Sequence, residues 1–374
     1  MTEPVTPKQA QREGAESGVS YEGKSIMTTG RRHSLSITSF VASLVAAGSL
    51  LQGCIVSENL GSRADGGTDS SGNGDVDGGS LDSGNATLPA ATKLVLFGGS
   101  DSNGRIFDDT WTFDGTAWTQ INATGPSARS NPCFARSTNG VALFGGRDSD
   151  GNVLGDTWTF DGASWTKLDI PGPSPRSDAQ CASRNGQIVL FGGMQSTSDG
   201  GPNTTLGDTW IFDGGAWTEI EGVQPPPTLG GAMAALGGKV VLYGGENDTT
   251  VSGDTWTFDG VMWTKFSGTS PEARIGSTMT ELGDGLVMFG GRASPTFTET
   301  WAFDGTSWQN TDATPPDPRN YFGQSATLNG KVILLLAFQD GTFAYANGQG
   351  WSQLSFDGHP VVPSARGGEG LSEM

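Results

Sequence analysis

The sequence predicts an all-β ring of repeated four-stranded units, and three observations carry that prediction. Glycine and proline supply 59 and 19 of the 374 residues, which excludes a helical bundle because each interior glycine costs a helix roughly 1 kcal/mol. Eleven tryptophans and 18 phenylalanines exclude collagen and pure disorder, since they need a core to bury them. An aromatic residue followed by Gly-Gly recurs at Phe97, Phe144, Phe191, Tyr243 and Phe289, in steps of 47, 47, 52 and 46 residues, a period that belongs to propellers and solenoids. Charge removes one functional class. With 21 Lys and Arg against 40 Asp and Glu, net −19, the chain has no basic footprint for nucleic acid.

The first 92 residues lie outside the repeats. Residues 1–26 are a polar upstream extension. Met27 opens a segment carrying Arg31 and Arg32, an apolar run over 35–51, and Gln52-Gly53-Cys54. That order of basic, apolar and small residues is the order of a secretory signal, here 27–53; a membrane helix and a twin-arginine signal are the weaker alternatives. Leu51-Gln52-Gly53-Cys54 resembles a bacterial lipobox. The resemblance implies that Cys54 is acylated, and that the chain is exported and held on the outer membrane or cell surface by its lipid alone; Ile55 lacks the aspartate linked to inner-membrane retention. Residues 54–92, with Asp65-Gly66-Gly67, Asp75-Val76-Asp77-Gly78-Gly79 and no aromatic residue, are expected to be a disordered acidic tether. Its Asp-x-Asp-Gly text lacks the full ligand pattern of a calcium loop.

From residue 93 to 374 every unit carries the same text. After each Gly-Gly comes Asp109-Thr110-Trp111, Asp156-Thr157-Trp158, Asp208-Thr209-Trp210, Asp254-Thr255-Trp256 or Glu299-Thr300-Trp301. Phe-Asp-Gly and a second tryptophan follow, at Trp118, Trp165, Trp217, Trp263 and Trp308, and a worn sixth copy ends at Trp351. Apolar runs such as Lys239–Tyr243 read as strands covered on both faces. Phe-Asp-Gly-x-x-Trp reads as a tight hairpin in which Asp-Gly supplies positive φ. Alternation places Trp111 and Phe113 on one sheet face, as glue between neighbouring sheets.

These motifs resemble kelch repeats, the blades of a kelch β-propeller, over residues 93–374. Phenylalanine stands where kelch units often carry tyrosine, and Leu336-Ala337 replaces the glycine pair of the sixth copy. Pro-x-x-Arg precedes the first strands of four units, ending at Arg129, Arg176, Arg274 and Arg319, and reappears at Arg366 near the C-terminus. The repeat at Lys93 has no first strand of its own. Residues 367–374 are therefore expected to pair with 93–99 and close a six-bladed ring.

Chemistry narrows the function. His33 and His359 are the two histidines of the chain, too few for a Ser-His-Asp triad or for a His-rich zinc or copper site. The copper ligands of galactose oxidase, which shares kelch repeats, have no counterpart here, so no catalytic, metal or cofactor residue is assigned. The once-per-blade carboxylates read as turn and strand-start residues. Cys133 and Cys181 are one residue out of step on adjacent blades, which points them to opposite sheet faces and to free, buried thiols.

Arg129, Arg176, Arg274, Arg319 and Arg366 are expected to converge on one channel mouth, with Leu229 breaking the ring in blade 4. Two readings are open for them, a grip on acidic side chains of a partner and a structural pair with the acid of the Asp-Thr-Trp text, and both hold where donors stay free toward the channel. The variable loops 100–108, 147–155, 194–207, 246–253 and 292–298 open on the same face. The resemblance to kelch adaptors implies binding through that face. The leading expectation is a monomeric, non-catalytic binding module for a protein or glycan. The alternatives are an extracellular polysaccharide-acting enzyme using loop carboxylates, and a structural or adhesive surface component.

Overall fold

The computed structural model describes residues 54–58, 91–196, 202–293, 297, 299–313, 323–335, 342–346, 349–355, 363 and 372–373. The chain divides into two compact units, Met1–Ser36 and Ile37–Met374, and every described residue belongs to the second. The expected signal over 27–53 lies outside the described residues, and no helix among those described is long and apolar enough to cross a membrane.

Six antiparallel sheets follow one another along the chain, each with its strands in sequence order. Blade 1 holds Lys93–Phe97, Thr110–Phe113 and Trp118–Ile121; blade 2 holds Cys133–Ser137, Gly140–Phe144, Thr157–Phe160 and Trp165–Leu168. Blade 3 comprises Gln180–Arg184, Gln187–Phe191, Thr209–Phe212 and Trp217–Ile220, and blade 4 Ala232–Leu236, Lys239–Tyr243, Thr255–Phe258 and Trp263–Lys265. Blade 5 runs Ile275–Leu282, Gly285–Arg292, Thr300–Phe303 and Trp308–Asn310, and blade 6 Gln324–Leu328, Lys331–Leu335, Thr342–Ala346 and Gly350–Gln353. The innermost strand of each blade touches that of the next, around to blade 1 again. This is a six-bladed β-propeller.

The core is not one mass but six wedges, one between each pair of neighbouring blades. The second tryptophan of each unit fills a wedge. Trp165 packs edge-on against Phe97 of the preceding blade at 5.1 Å, and Trp217, Trp263 and Trp308 repeat the contact on Phe144, Phe191 and Tyr243 at 5.3, 5.5 and 5.3 Å. Each such pair adds about 0.5–1.5 kcal/mol beyond its burial. Their indole N–H groups then donate to the preceding blade's strand-start threonine, Trp165 to Thr110, Trp217 to Thr157, Trp263 to Thr209 and Trp308 to Thr255, at 2.8–3.0 Å. The first tryptophans do something else, described below. Asp-Gly hairpins form as the sequence predicts, with Gly115, Gly162, Gly214, Gly260 and Gly305 at φ of 91° to 102°. The aspartate Oδ1 of each turn accepts backbone N–H bonds two and three residues on, as Asp304 does from Thr306 and Ser307; the Thr306 hydroxyl first, and then these backbone bonds, lower its carboxyl to about 2.

Closure is the expected one, with an addition. Ser372–Glu373 pairs antiparallel with blade 1, Glu373 opposite Leu94 and Ser372 opposite Val95. Cys54–Glu58 lies along the same strand from Cys54 opposite Phe97 to Glu58 opposite Lys93. These five residues, expected at the head of the tether, are thus a strand instead. Ile55-Val56 is a β-branched pair, and an open inner edge is a template for such a segment.

The cysteine expectation is overturned. Cys133 and Cys181 form a disulfide, with Cα atoms 5.6 Å apart. In stacked blades the front of one sheet meets the back of the next, so opposite parity is what lets two side chains meet. Both cysteines belong to the wedge between blades 2 and 3.

Candidate functional site

One face of the ring is built by the loops that follow each Gly-Gly. Its frame has two repeated parts, a backbone clasp between blades and a side-chain brace within a blade. In the clasp, the second glycine of each pair donates its N–H to a carbonyl at the entrance of the next blade: Gly99 to Arg129, Gly146 to Arg176, Gly193 to Thr228 and Gly245 to Arg274, at 2.9–3.0 Å. The first glycine is needed for two reasons. Gly145 and Gly192 sit at φ of 69° and 66°, and a Cβ would stand 2.5 and 2.4 Å from the Arg176 and Thr228 carbonyl oxygens.

The brace is the arginine. Arg129 donates Nη1 and Nη2 to both Asp156 carboxylate oxygens at 2.6 and 3.1 Å, Nη1 also to the Gly145 carbonyl, and Nε and Nη2 to Ser127. Arg176 repeats this with Asp208, Gly192 and Ser174. Arg274 bonds Glu299 at 2.8 Å, the Gly290 carbonyl and the Glu272 carbonyl, and its guanidinium carbon lies 3.7 Å from the Phe297 ring centre. The first tryptophan completes the unit: Trp158 and Trp210 donate indole N–H to Asp156 and Asp208 at 2.7 Å. Burial raises the carboxyls of Asp156 and Asp208, but the arginine bonds and charge, helped by these indoles, outweigh it and hold both below the ordinary aspartate value.

The described arginines of this series pair with their acids, as in the structural reading of the repeat, but the expected spare donors toward the channel are absent. Arg129, Arg176 and Arg274 are each 1% exposed, and all five donors of Arg129 and of Arg176 are used inside the blade. A guanidinium saturated by its own blade has nothing to offer a ligand. Arg319, Arg366 and His359 lie outside the described residues. Tyr243 is structural too: its hydroxyl donates to the Glu272 carbonyl at 2.6 Å, and burial pushes its phenol up to about 12. Among the described residues, no cluster of three His, Cys, Asp or Glu is arranged to hold a metal ion.

Blade 4 departs from the frame. The residue in the arginine's place is Thr228, not Leu229. Thr228 accepts from Gly193 and donates its N–H to Leu206, as Arg176 does with Gly146 and Leu154; Leu229 instead bridges Glu246, as Ser130 bridges Arg147. The run Pro225-Pro226-Pro227 allows two alignments of Pro-x-x-Arg, and the hydrogen bonds select the one ending at Thr228. Without a brace, Asp254 turns to Lys265 at 2.8 Å, in a pair 37% and 53% exposed. A cavity of about 320 Å³ lies here, lined by Thr228, Gly244, Glu246, Asp254 and Trp256 among others. Burial pushes the Glu246 carboxyl up, against the opposing charge of Arg292. Beside it Met194–Gln195 pairs with Thr204–Thr205 in a small ribbon, and Thr205 reaches blade 4 with a hydrogen bond to Asp248 at 2.9 Å.

Uniform clasps carrying unlike loops define a repeat propeller with one variable face. The model of the KLHDC2/KLHL20/DRC7 Kelch-repeats domain matches residues 80–227 and 163–338, and the chain belongs to the kelch-repeat family. No individual curated protein matches it.

Proposed function

We propose that the propeller is a non-catalytic binding module that recognises a protein through the Gly-Gly loop face. The observation that carries this reading is the contrast within that face. Its backbone clasp repeats at Gly99, Gly146, Gly193 and Gly245, while the loops it holds differ in length and chemistry from blade to blade. Variable loops on a rigid scaffold are where binding residues concentrate, and kelch propellers commonly serve as protein-binding modules. The repeated carboxylates support binding over catalysis, because Asp156, Asp208 and Glu299 are committed to arginines and the hairpin aspartates to their own turns.

The leader-like order of residues 27–53 supports a further part of the reading, export and acylation at Cys54 with display on a bacterial surface. The experiment is a peptide and glycan array probed with the chain from residue 54, beside a panel of polysaccharide substrates. Peptide binding lost on exchanging the 194–207 and 246–253 loops for Gly-Ser segments is the expected result. Glycan binding alone, or turnover of a polysaccharide, overturns it. Membrane fractionation of a Cys54→Ala variant tests the anchor, which predicts release of the protein.

A further inference from the structure

Blade 4 lacks an arginine but keeps the arginine's surroundings. In blades 2, 3 and 5, Nη1 of Arg129, Arg176 and Arg274 donates to the carbonyls of Gly145, Gly192 and Gly290 at 3.0, 3.0 and 3.2 Å. The second partner is the acid that opens the Asp-Thr-Trp strand, and the first tryptophan stands beside it. The blade 4 counterparts of these three groups are Gly244, Asp254 and Trp256, and all three line the cavity of about 320 Å³. Thr228 lines it as well, with a side chain too short to fill the space. The cavity therefore occupies the position at which three sister blades hold a guanidinium.

The same groups are ready to change partners. The Asp254 pair with Lys265 is exposed and contributes little, so exchanging it for an incoming cation costs little. Trp256 makes no hydrogen bond to Asp254, whereas Trp158 and Trp210 donate to their acids at 2.7 Å. Glu246, 8% exposed, adds a second carboxylate to the lining. The rim is open, with Val251 40% exposed.

We infer that this cavity is a guanidinium-binding site that takes an arginine side chain from a partner protein, with Asp254 and the Gly244 carbonyl as acceptors and Trp256 as a flat wall. A planar, weakly hydrated fork of five donors suits that geometry, and a lysine ammonium satisfies less of it. The inference deepens the binding-module reading and rests on it only for the source of the arginine.

The test uses the full chain labelled with fluorotryptophan, the Trp256 resonance being assigned through Trp256→Phe. Methylguanidinium, and in a second arm a short peptide containing one arginine, are titrated against it. The expected result is a saturable shift of the Trp256 signal by both, with a lysine peptide weaker. Asp254→Asn weakens binding about tenfold or more. Thr228→Arg abolishes it and raises Tm, because the chain's own guanidinium then fills the site. Absence of a saturable shift in the wild-type chain overturns the site, as does a shift that survives in Thr228→Arg. A shift with methylguanidinium but none with the arginine peptide overturns the partner as source. Array binding that persists unchanged in Thr228→Arg overturns the partner's arginine as the occupant and leaves the binding module standing; guanidinium binding with an empty array leaves the site standing and overturns the binding module.

Discussion

Blades 3 and 4 are neighbours built from nearly the same text, and they differ at the one side chain that braces a blade. In blade 3, Arg176 joins Asp208, the Gly192 carbonyl and Ser174 into a sealed network, with Trp210 closing the far side of the acid. In blade 4, Thr228 keeps the backbone clasp with Gly193 but supplies no charge, and a cavity opens beside an acid tied to an exposed lysine. The lesson is that clasp and brace are separable. A blade holds its place in the ring by backbone bonds, so a brace can be lost and its place turned outward.

The largest expected effect sharpens this contrast directly. Arg176→Ala leaves Asp208 half-buried without its cation and costs about 3–5 kcal/mol, whereas Thr228→Ala in the same position of blade 4 costs about 1 kcal/mol or less. Urea unfolding measures both, and equal costs would break the comparison. Next comes the crosslink on the other side of blade 3. Replacing Cys133 and Cys181 by serine, which frees a loop spanning 48 residues, costs about 2–4 kcal/mol; peptide mapping without reductant reports the bridge itself.

The clasp predicts similar losses wherever it occurs. Gly192→Ala and Gly145→Ala each meet a carbonyl oxygen across a blade boundary and lose about 2–3 kcal/mol, although blade 4 has no arginine. Acid stability distinguishes the braces. Asp156 and Asp208 have folded-state pKa values below the unfolded one, so their contribution is present above about pH 4 and is lost as pH falls through the folded value. Asp208→Asn therefore flattens the acid limb of a stability profile, and an unchanged limb refutes the brace. The smallest effect belongs to Lys265→Ala, below about 1 kcal/mol because its pair is exposed.

Much of this was legible in the residues. Asp-Gly at 114–115 and its repeats announced hairpins because the turn chemistry is local, and the spacing of Trp165, Trp217, Trp263 and Trp308 announced wedges because the period is that of a blade. Thr228 was not legible. Three prolines in a row blur the alignment by one residue, and only the carbonyl that accepts from Gly193 resolves it. The disulfide is not legible for a related reason: parity along a strand says which face a residue takes, not which neighbour that face meets. The strand at Cys54–Glu58 is not legible because its pairing is with residues about forty positions away.

By itself, then, the sequence determined the all-β class, the repeat and the blade number, since each follows from local turn chemistry or from a period along the chain. Tertiary structure alone decided that Arg129 and Arg176 have no donor left over, that Cys133 meets Cys181, and that a missing arginine in blade 4 leaves an acid-lined cavity. Those outcomes depend on how the faces and loop entrances of separate blades confront one another, and that relation exists only after the ring has closed.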